Sequence, residues 1–338
     1  MAVYTDITDA ELADFLGAFD LGPAISFKGI AEGVENSNFL VETAAGRFIL
    51  TVYERRARAE DLPFFLGLMA ALAEQGFPSA TPVADRHGRC IASLRGKPAA
   101  LIGFLPGVAP RQPSVAACRE AGEGLAWLHR AGEGLDSRLG RRLNDLGQRH
   151  WRPLFAPLAG AADGLRAGLA PLVTADLDLF ERTWPNDLPA GIVHADFFPD
   201  NVFFLGERFA GAIDFYFAAW DLLAYDLAIA LNAWCFDADG EANSSAAAAL
   251  IDGYQRRRRL TDPEYAALPL LAHGAAMRFF LTRLKDWGAT PPGALVRPKD
   301  PLEYARKLAF HRDGGFRLVV RPISDGTAIT PDGRTTRC

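Results

Sequence analysis

Three polar residues between positions 191 and 226 have the types and the placement that phosphoryl transfer needs. Asp196, Asn201 and Asp214 each lie at or just beyond the end of a short apolar run that predicts a buried strand. A carboxylate in such a position can orient an attacking hydroxyl and accept its proton, while an amide and a second carboxylate hold Mg²⁺ against nucleotide phosphates. The sequence therefore predicts Asp196 as the catalytic base and Asn201 and Asp214 as the metal ligands.

The order and spacing of these residues support that interpretation. Asn201 follows Asp196 by five positions, and Asp214 follows Asn201 by thirteen, with a predicted hairpin turn at 206–208 between them. Protein kinases space their catalytic Asp, their metal-binding Asn and the Asp after the next hairpin in the same way. A single acidic residue beside a strand is as often a turn cap, whereas the complete set in this order favours catalysis.

The neighbouring titratable residues are predicted to have supporting roles. His194 is expected to brace the backbone before Asp196 rather than to carry a proton. Asp226 is expected to be structural. Asp221 is either a contact for the substrate or a helix cap.

The motif HxDxxxxN followed by IDF resembles the aminoglycoside phosphotransferase and choline kinase superfamily, the small-molecule relatives of protein kinases. The AYDLA at 224–228 supports this, and the resemblance implies that Asp226 anchors the helix after the metal loop. A closer resemblance, from residue 1 to about 318, is to the homoserine kinases built on this fold, with GVENSNF and LNAWCF as its most specific parts. It implies ATP-dependent phosphorylation of the side-chain hydroxyl of L-homoserine in threonine biosynthesis.

The spacing alone indicates only a small-molecule phosphotransferase, so two other functions stay open. The first is a kinase for choline, ethanolamine or another amino alcohol, which would not need an arginine for an acceptor carboxylate. The second is a pseudokinase-like module that binds nucleotide without turnover. Its only support is a missing lysine on the third strand.

Composition limits the class of protein and its partners. The 338 residues, 49% hydrophobic and 23% charged, are many for one core and typical of a two-lobed globular protein. A net charge of −5 and a pI near 5.7 argue against nucleic acid as a partner. Four cysteines without metal-ligand spacing fit a reduced, cytoplasmic environment, and we expect neither a secretory signal nor a membrane span.

The pattern of elements predicts an α+β, two-lobed protein-kinase-like fold. A nucleotide-binding lobe with a small antiparallel sheet is expected over residues 1–103, and a mainly helical catalytic and acceptor-binding lobe over 104–318. The Gly- and Pro-rich segment 103–110 is the predicted hinge. Residues 319–338 are mostly polar and are expected to be a disordered tail.

Individual elements follow from capping and periodicity. Thr8 and Glu11 form a predicted capping box at the start of the first helix. The later part of the chain is predicted to be helical from Leu222 to about Arg312, with a bend at 273–274. The predicted strands of the first lobe are 25–29, 38–43, 47–53, 90–94 and 98–104, and its main helix is 61–75.

The nucleotide is expected to bind between the loop at 33–38 and the hinge. Backbone N–H groups of Gly33, Asn36 and Ser37 could approach the phosphates, and Gly33 adds no Cβ clash. Phe104 and Leu105 are either a platform for the adenine or simply part of the core.

The third strand departs from the kinase pattern. Kinase-like folds place a lysine there to hold the α- and β-phosphates, and this chain has Thr51. The charge would then come from Lys28, from Arg55 or from the metal. The role of Glu60 as an acidic partner on the following helix is equally open.

The acceptor must bind beside Asp196, between the catalytic loop and the helices after it. Homoserine would need an acidic or carbonyl partner for its amine and an arginine for its carboxylate. The predicted substrate-binding residues are Asp221, Asn232, Arg278 and Arg283, with Arg278 slightly favoured over Arg283. The four arginines at 256–259 are predicted to lie at a solvated helix end rather than in a binding site.

Overall fold

A five-stranded antiparallel sheet forms the centre of the small lobe. A computed structural model describes residues 5–30, 36–54, 58–289 and 298–316. The strands are β1 Ala24–Ile30, β2 Ser37–Thr43, β3 Gly46–Val52, β4 Ala92–Leu94 and β5 Lys97–Gly103, and the helices of this lobe are α1 Asp9–Leu16 and α2 Leu62–Glu74. The strand order is β1-β2-β3-β5-β4, so β5 pairs directly with β3.

Alternation along β5 sends its side chains into two different cores. Ala99 and Leu101 share a core with α1, whereas Ala100 and Ile102 share one with α2. Successive residues of a strand point to opposite faces, so the two helices cover the two faces of the sheet. The predicted capping box is present at the start of α1.

Helices dominate the large lobe, as the sequence predicts. They are α3 Val115–Ala131, α4 Asp136–Leu139, α5 Trp151–Phe155, α6 Ala159–Leu165, α7 Leu169–Thr183, α8 Leu223–Trp234, α9 Ser244–Arg257, α10 Asp262–Ala289 and α11 Pro301–Arg312.

Helices α3 and α9 approach closely at two glycines: a Cβ on Gly122 would lie 1.9 Å from the carbonyl oxygen of Leu250, and one on Gly253 would lie 1.9 Å from that of Arg119. The arginines at 256–258, at the end of α9, pair with Glu123, Asp252 and Glu264.

Two short antiparallel pairs carry the predicted catalytic segment. The strands are β6 Ala190–Val193, β7 Val202–Leu205, β8 Arg208–Ala212 and β9 Ala219–Leu222, with β6 paired to β9 and β7 to β8. The turn between β7 and β8 lies at Gly206, as predicted, and has a positive φ of 60°. Strand β9 was not predicted, because its sequence AWDL continues into the apolar pattern of α8.

The expected bend at His273-Gly274 is wrong, because α10 runs without interruption from Asp262 to Ala289 and even through Pro269. Gly274 instead permits close packing. A Cβ at this position would lie 2.3 Å from the Trp184 ring.

The predicted hinge segment, 103–110, is bonded directly to the β7–β8 hairpin. Val108 and Phe204 exchange both main-chain hydrogen bonds, at 2.9 and 3.0 Å. Gly107, with φ +139°, allows this approach, since a Cβ there would lie 3.0 Å from the Phe204 carbonyl oxygen. On the other side of the hairpin, a Cβ on Gly211 would lie 2.3 Å from the carbonyl oxygen of Pro78.

Several predictions fall on residues outside the described ranges. These are the phosphate-loop residue Gly33, the candidate cation Arg55 and the tail at 319–338. Within the described ranges, none of the helices has the length and apolar character to cross a membrane.

Candidate active site

Asp196 and Asn201 are joined directly in the loop after β6. The Asn201 amide nitrogen donates to the main-chain oxygen of Asp196 at 2.9 Å and to its carboxylate Oδ2 at 3.0 Å. These bonds close the loop and restrain the rotation of the Asp196 side chain. They use only the nitrogen of the amide, which leaves its oxygen as the atom suited to a cation.

A buried carboxylate braces the same loop from below. Asp226 on α8 accepts from the backbone N–H groups of His194 and Ala195, at 2.7 and 2.8 Å, and from His129 at 3.1 Å. Burial alone would raise the pKa of Asp226, but the hydrogen bond from His129 and nearby imidazoles lower it below its ordinary value. Ala195 has a φ of +61°, a strained conformation for an alanine that these bonds hold in place just before Asp196.

His194 connects the two halves of the site. Its Nε2 donates to the carbonyl oxygen of Ile213 at 2.9 Å, and its Nδ1 accepts from the N–H of Asp196 at 3.2 Å. Burial lowers the pKa of this imidazole, which favours the neutral form that these bonds require. The side chain is thus engaged in bracing the backbone, as expected from the sequence.

Asp214 follows Ile213, whose N–H donates to the carbonyl oxygen of Asn201 at 2.9 Å. Asp214 has a left-handed φ of 65° and begins a short turn. The fold therefore brings the two predicted metal ligands to adjacent backbone segments. A carboxylate and an amide oxygen suit Mg²⁺, which usually takes one or two protein ligands and completes its shell with phosphates and water.

Arg278 lies against the Asp196 loop and is only 2% exposed. It donates to the carbonyl oxygen of Ala195, and its guanidinium packs on the rings of Phe279 and Phe217, at 4.4 and 5.5 Å. No carboxylate of the described ranges lies within ion-pair distance of it, and its Nε has no hydrogen-bond partner there. A buried arginine without an acidic partner is a strong candidate for binding an anion.

Two tyrosine hydroxyls near this arginine are also buried without a hydrogen-bond partner in the described part of the chain, those of Tyr225 and Tyr304. Burial raises the pKa of Tyr304, and the charges that act on its hydroxyl include those of Asp196 and Arg278. Neither tyrosine is predicted from the sequence, because one tyrosine in an apolar helical pattern gives no signal beyond core packing.

Asp221 lies on β9, where its carboxylate accepts from the Asn144 amide and from the N–H of Leu222, both at 2.7 Å. Burial raises its pKa, and the positive charge of Arg278 partly opposes that rise. Asp221 therefore belongs to the same neighbourhood as Arg278.

The structure gives the other two predicted substrate contacts different partners. The Asn232 side chain is fully buried, with its nitrogen donating to the carbonyl oxygen of Ala272 and its oxygen bonded to His311, at 2.7 and 2.8 Å. Arg283 forms an ion pair with Glu303 at 2.5 Å. Both residues help to join α11 to α8 and α10.

The predicted nucleotide side has its polar side chains engaged within the small lobe. Asn36 accepts from the N–H of Glu54, and the Ser37 hydroxyl donates to the Glu54 carboxylate at 2.7 Å. The hydroxyl of Ser37 is thus engaged, whereas the Asn36 side chain is engaged through its oxygen. Lys97 forms an ion pair with the same carboxylate.

At the hinge, Phe104 lies partly buried under the guanidinium of Arg47, 4.4 Å from its ring centre, and Leu105 packs against the core. Of the proposed sources of charge, Lys28 is exposed on β1. Glu60 pairs with the exposed Arg58.

Thr51 is buried in β3, and its hydroxyl donates to the side chain of Asn38 at 2.9 Å. Close by, the hydroxyls of Tyr53 and Tyr216 are 2.9 Å apart. Burial raises the pKa of both tyrosines, and the negative charge of Asp214 adds to the rise. The position of the kinase lysine is thus surrounded by neutral hydroxyl and amide groups.

A two-lobed α+β fold with an Asp–Asn–Asp set at the junction of its lobes defines a small-molecule phosphotransferase of the protein-kinase-like class. Residues 26–260 match the model of the phosphotransferase enzyme family (APH), and the chain belongs to that family.

Sequence relatives cover nearly the whole chain. A homoserine kinase from Caulobacter sp. (strain K31) is 65% identical over 315 residues, which are 93% of this chain and 98% of the relative. A homoserine kinase from Phenylobacterium zucineum (strain HLK1) is 64% identical over 92% of this chain and 96% of its own.

Solved structures confirm the predicted fold. Amicoumacin kinase hAmiN, in complex with AMP-PNP, Ca²⁺ and Ami, superposes with a TM-score of 0.68 at 16% identity, over 91% of this chain and 94% of its own. Spectinomycin phosphotransferase, in complex with ADP and spectinomycin, gives a TM-score of 0.64 at 11% identity, over 91% and 95%.

Proposed function

We propose that this protein is a homoserine kinase, which transfers the γ-phosphoryl group of ATP to the side-chain hydroxyl of L-homoserine and forms O-phospho-L-homoserine and ADP. The observation that carries the proposal is the 65% identity to a homoserine kinase along 98% of that relative's length. The product is an intermediate of threonine biosynthesis, and we place the reaction in the cytoplasm, where ATP is available.

Asp196 is the proposed base. Its carboxylate orients the acceptor hydroxyl in line with the γ-phosphorus and takes the proton as the new O–P bond forms. The two bonds from Asn201 hold the main chain and the carboxylate of Asp196 together, so the base is positioned before the substrate arrives. Positioning is the larger part of catalysis in this reaction class, since the protein has little covalent chemistry to perform.

Asn201 and Asp214 are the proposed ligands of Mg²⁺. When bound, the ion would neutralise charge on the β- and γ-phosphate oxygens. The protein contributes the fixed separation of the two ligands, because Ile213 is bonded through its N–H to Asn201 and through its oxygen to His194.

Arg278 is the proposed partner of the acceptor carboxylate. A carboxylate beside this buried guanidinium would supply the missing counter-charge, and the hydroxyl of Tyr304 is a second donor in the same region. Asp221 is the proposed partner of the amine, since a carboxylate has lone pairs beyond the two that Asn144 and Leu222 occupy. The rings of Phe217 and Phe279 border the guanidinium and can cover the methylene groups.

Phe104 and Leu105 are proposed to contact the adenine from the hinge. The proposed phosphate contacts of Gly33, Asn36 and Ser37 are made by backbone N–H groups. For Ser37 this agrees with the engagement of its hydroxyl by Glu54.

An acceptor comparison tests the proposal. L-Homoserine is compared with 3-aminopropan-1-ol, which has the same hydroxyl and amine but no carboxylate, and with choline and ethanolamine, all at saturating ATP. Homoserine should give the highest kcat/KM, because an amino alcohol leaves Arg278 buried without its partner. Equal values for all four acceptors would contradict the assignment and indicate a general amino-alcohol kinase.

Substitution of Arg278 tests whether this residue binds the acceptor carboxylate. Arg278→Met should lower kcat/KM for homoserine by about 10²-fold, the cost of losing a charged hydrogen-bonding partner, while changing it much less for 3-aminopropan-1-ol. Arg283→Met is the matched control, since Arg283 already has an acidic partner in Glu303. An equal loss for both acceptors would show that Arg278 acts only by bracing the Asp196 loop through Ala195.

A further inference from the structure

The third strand lacks the lysine that other kinase-like folds use, and the structure contains a different contact in its place. In protein kinases, that lysine forms an ion pair with a glutamate on the following helix, and the pair must be in place with the metal-binding aspartate. Here β3 carries Thr51 at that position, and Glu60 lies on the surface with Arg58. The connection between the sheet, α2 and the metal loop must therefore be made by other groups.

Two tyrosines make that connection. Tyr53 comes two residues after Thr51, and Tyr216 comes two residues after Asp214. Their hydroxyls are 2.9 Å apart, and their rings meet edge to face with centroids 5.4 Å apart. Tyr53 is only 1% exposed, so its hydroxyl depends on this bond to avoid being buried without a partner.

Helix α2 joins the same contact through an aromatic ring. Phe65 packs edge to face on Tyr216, with centroids 5.7 Å apart. The turn that begins at Asp214 is thereby held against β3 by a hydrogen bond and against α2 by ring packing. In protein kinases the lysine–glutamate pair joins two of these elements, the third strand and the following helix.

We propose that the hydroxyl pair of Tyr53 and Tyr216 replaces the lysine–glutamate ion pair as the contact that positions Asp214 for metal-bound nucleotide. Both tyrosines are assigned as positioning residues, because their hydroxyl pair would act through Asp214. This inference rests on the proposed ATP- and metal-dependent function, but it concerns only the nucleotide half of the site.

A neutral pair has a different consequence from an ion pair. A lysine both positions the loop and offsets the charge of the α- and β-phosphates, whereas two hydroxyls can only position it. The binding of nucleotide through this contact should therefore depend on the metal. Removing one hydroxyl should weaken the binding of ATP with Mg²⁺ and leave metal-free binding of ATP unchanged.

A double-mutant cycle tests this without any acceptor. The affinity for ATP is measured by calorimetry for the wild type, Tyr53→Phe, Tyr216→Phe and the double variant, once with Mg²⁺ and once with EDTA. Each single variant should lose about 3–10-fold in affinity with Mg²⁺, the usual effect of one hydrogen bond. The double variant should lose no more than the single ones, because all three lack the same bond.

Controls separate positioning from general stability. Tyr265→Phe removes a hydroxyl from the first turns of α10 and should leave both affinities at their wild-type values. Unchanged affinity with Mg²⁺ in both single variants, an equal loss with and without Mg²⁺, or additive losses in the double variant would each overturn the proposal.

A second pair of variants tests the same proposal if a tyrosine substitution prevents folding. Thr51→Val removes a hydroxyl that donates to Asn38 and also hydrogen-bonds with the hydroxyl of Tyr216, and Thr51→Ser keeps it. Thr51→Val should reproduce the loss of affinity for ATP in the presence of Mg²⁺, and Thr51→Ser should keep the wild-type affinity. Equal affinities of the two variants would overturn the proposal. Failure of the wild type to phosphorylate homoserine would contradict the proposed acceptor but not these nucleotide measurements.

Discussion

The carboxylate of Asp196 differs from other acids of the loop in how firmly its position is held. Asn201 donates once to its carboxylate and once to its main-chain oxygen, His194 accepts from its N–H, and Asp226 fixes the two residues before it. An exposed acid only four residues further on, Asp200, has one distant ion pair with Lys299 at 3.5 Å. The same substitution can therefore be made at Asp196, whose position is restrained by hydrogen bonds, and at the exposed Asp200.

Asp196→Asn should lower kcat by about 10²–10⁴-fold, the usual contribution of a general base, with little change in the affinity for ATP. The asparagine oxygen can still accept from Asn201, so the loop should keep its shape. Steady-state kinetics and nucleotide titration check both parts. Asp200→Asn is the control and should retain wild-type turnover, and a kcat of Asp196→Asn above half the wild-type value would show that another group is the base.

Spacing along the chain predicts a role for some residues, whereas a role that depends on packing is harder to predict from the sequence. Asp196, Asn201 and Asp214 follow from their intervals along the chain. Arg278 and Arg283 are both arginines in the apolar pattern of one helix, and the slight preference for Arg278 depended on a bend at 273–274 that is absent. Only the position of Glu303 on α11 distinguishes them, by pairing with Arg283 and leaving Arg278 without an acid among the described residues.

At the scale of elements, α11 is attached to the lobe by buried polar bonds. Lys307 donates to the carbonyl oxygen of Asn232 at 2.8 Å, and His311 bonds to the Asn232 side chain. This attachment positions Tyr304, which lies on the same helix. The pattern of α11 gave no indication of it, because lysine and histidine in a helix usually face solvent.

Asn232→Leu should destabilise the protein by about 2–4 kcal/mol, since it leaves the Ala272 carbonyl and the His311 nitrogen buried without partners. The KM for homoserine should change less than threefold if the residue only supports α11. Urea unfolding and steady-state kinetics give the two values. A KM increase above tenfold with unchanged stability would instead favour the direct substrate contact predicted from the sequence.

The contact between α3 and α9 depends on the absence of two side chains. Gly253→Ala should destabilise the protein by about 1–3 kcal/mol, because the new methyl group would meet the Arg119 carbonyl and force the helices apart. Gly160→Ala in α6 is the control: a Cβ there meets nothing within 4 Å, and it should stabilise by about 0.5–1 kcal/mol. Thermal unfolding of both variants checks the difference in sign, and equal stability of the two would contradict this account of the packing.

At the scale of the whole molecule, three buried histidines make stability depend on pH. Burial lowers the pKa of His129 and of His194, and lowers that of His311 to about 3. In the unfolded chain each would titrate near pH 6.5. The unfolded state therefore binds more protons below that pH, and the free energy of unfolding should fall as the pH is lowered from 7.5 to 5.

For His311 alone, that fall should be about 2 kcal/mol between pH 7.5 and pH 5. His311→Gln should therefore show a decrease in unfolding free energy smaller than the wild type by about this amount. Urea unfolding at the two pH values gives the comparison, and identical decreases for the wild type and His311→Gln would contradict a neutral buried imidazole.

The main-chain bonds between Val108 and Phe204 constrain how the cleft can open. The β7–β8 hairpin, which separates Asn201 from Asp214, is tied to the hinge on one side and contacts Pro78 of the small lobe on the other. If one lobe rotates against the other about this bonded hairpin, the atoms of the hairpin would move very little. Nucleotide could then enter and leave without any change in the separation of the two metal ligands. The amides of Val108 and Phe204 should accordingly exchange with deuterium equally slowly in the free and the nucleotide-bound protein.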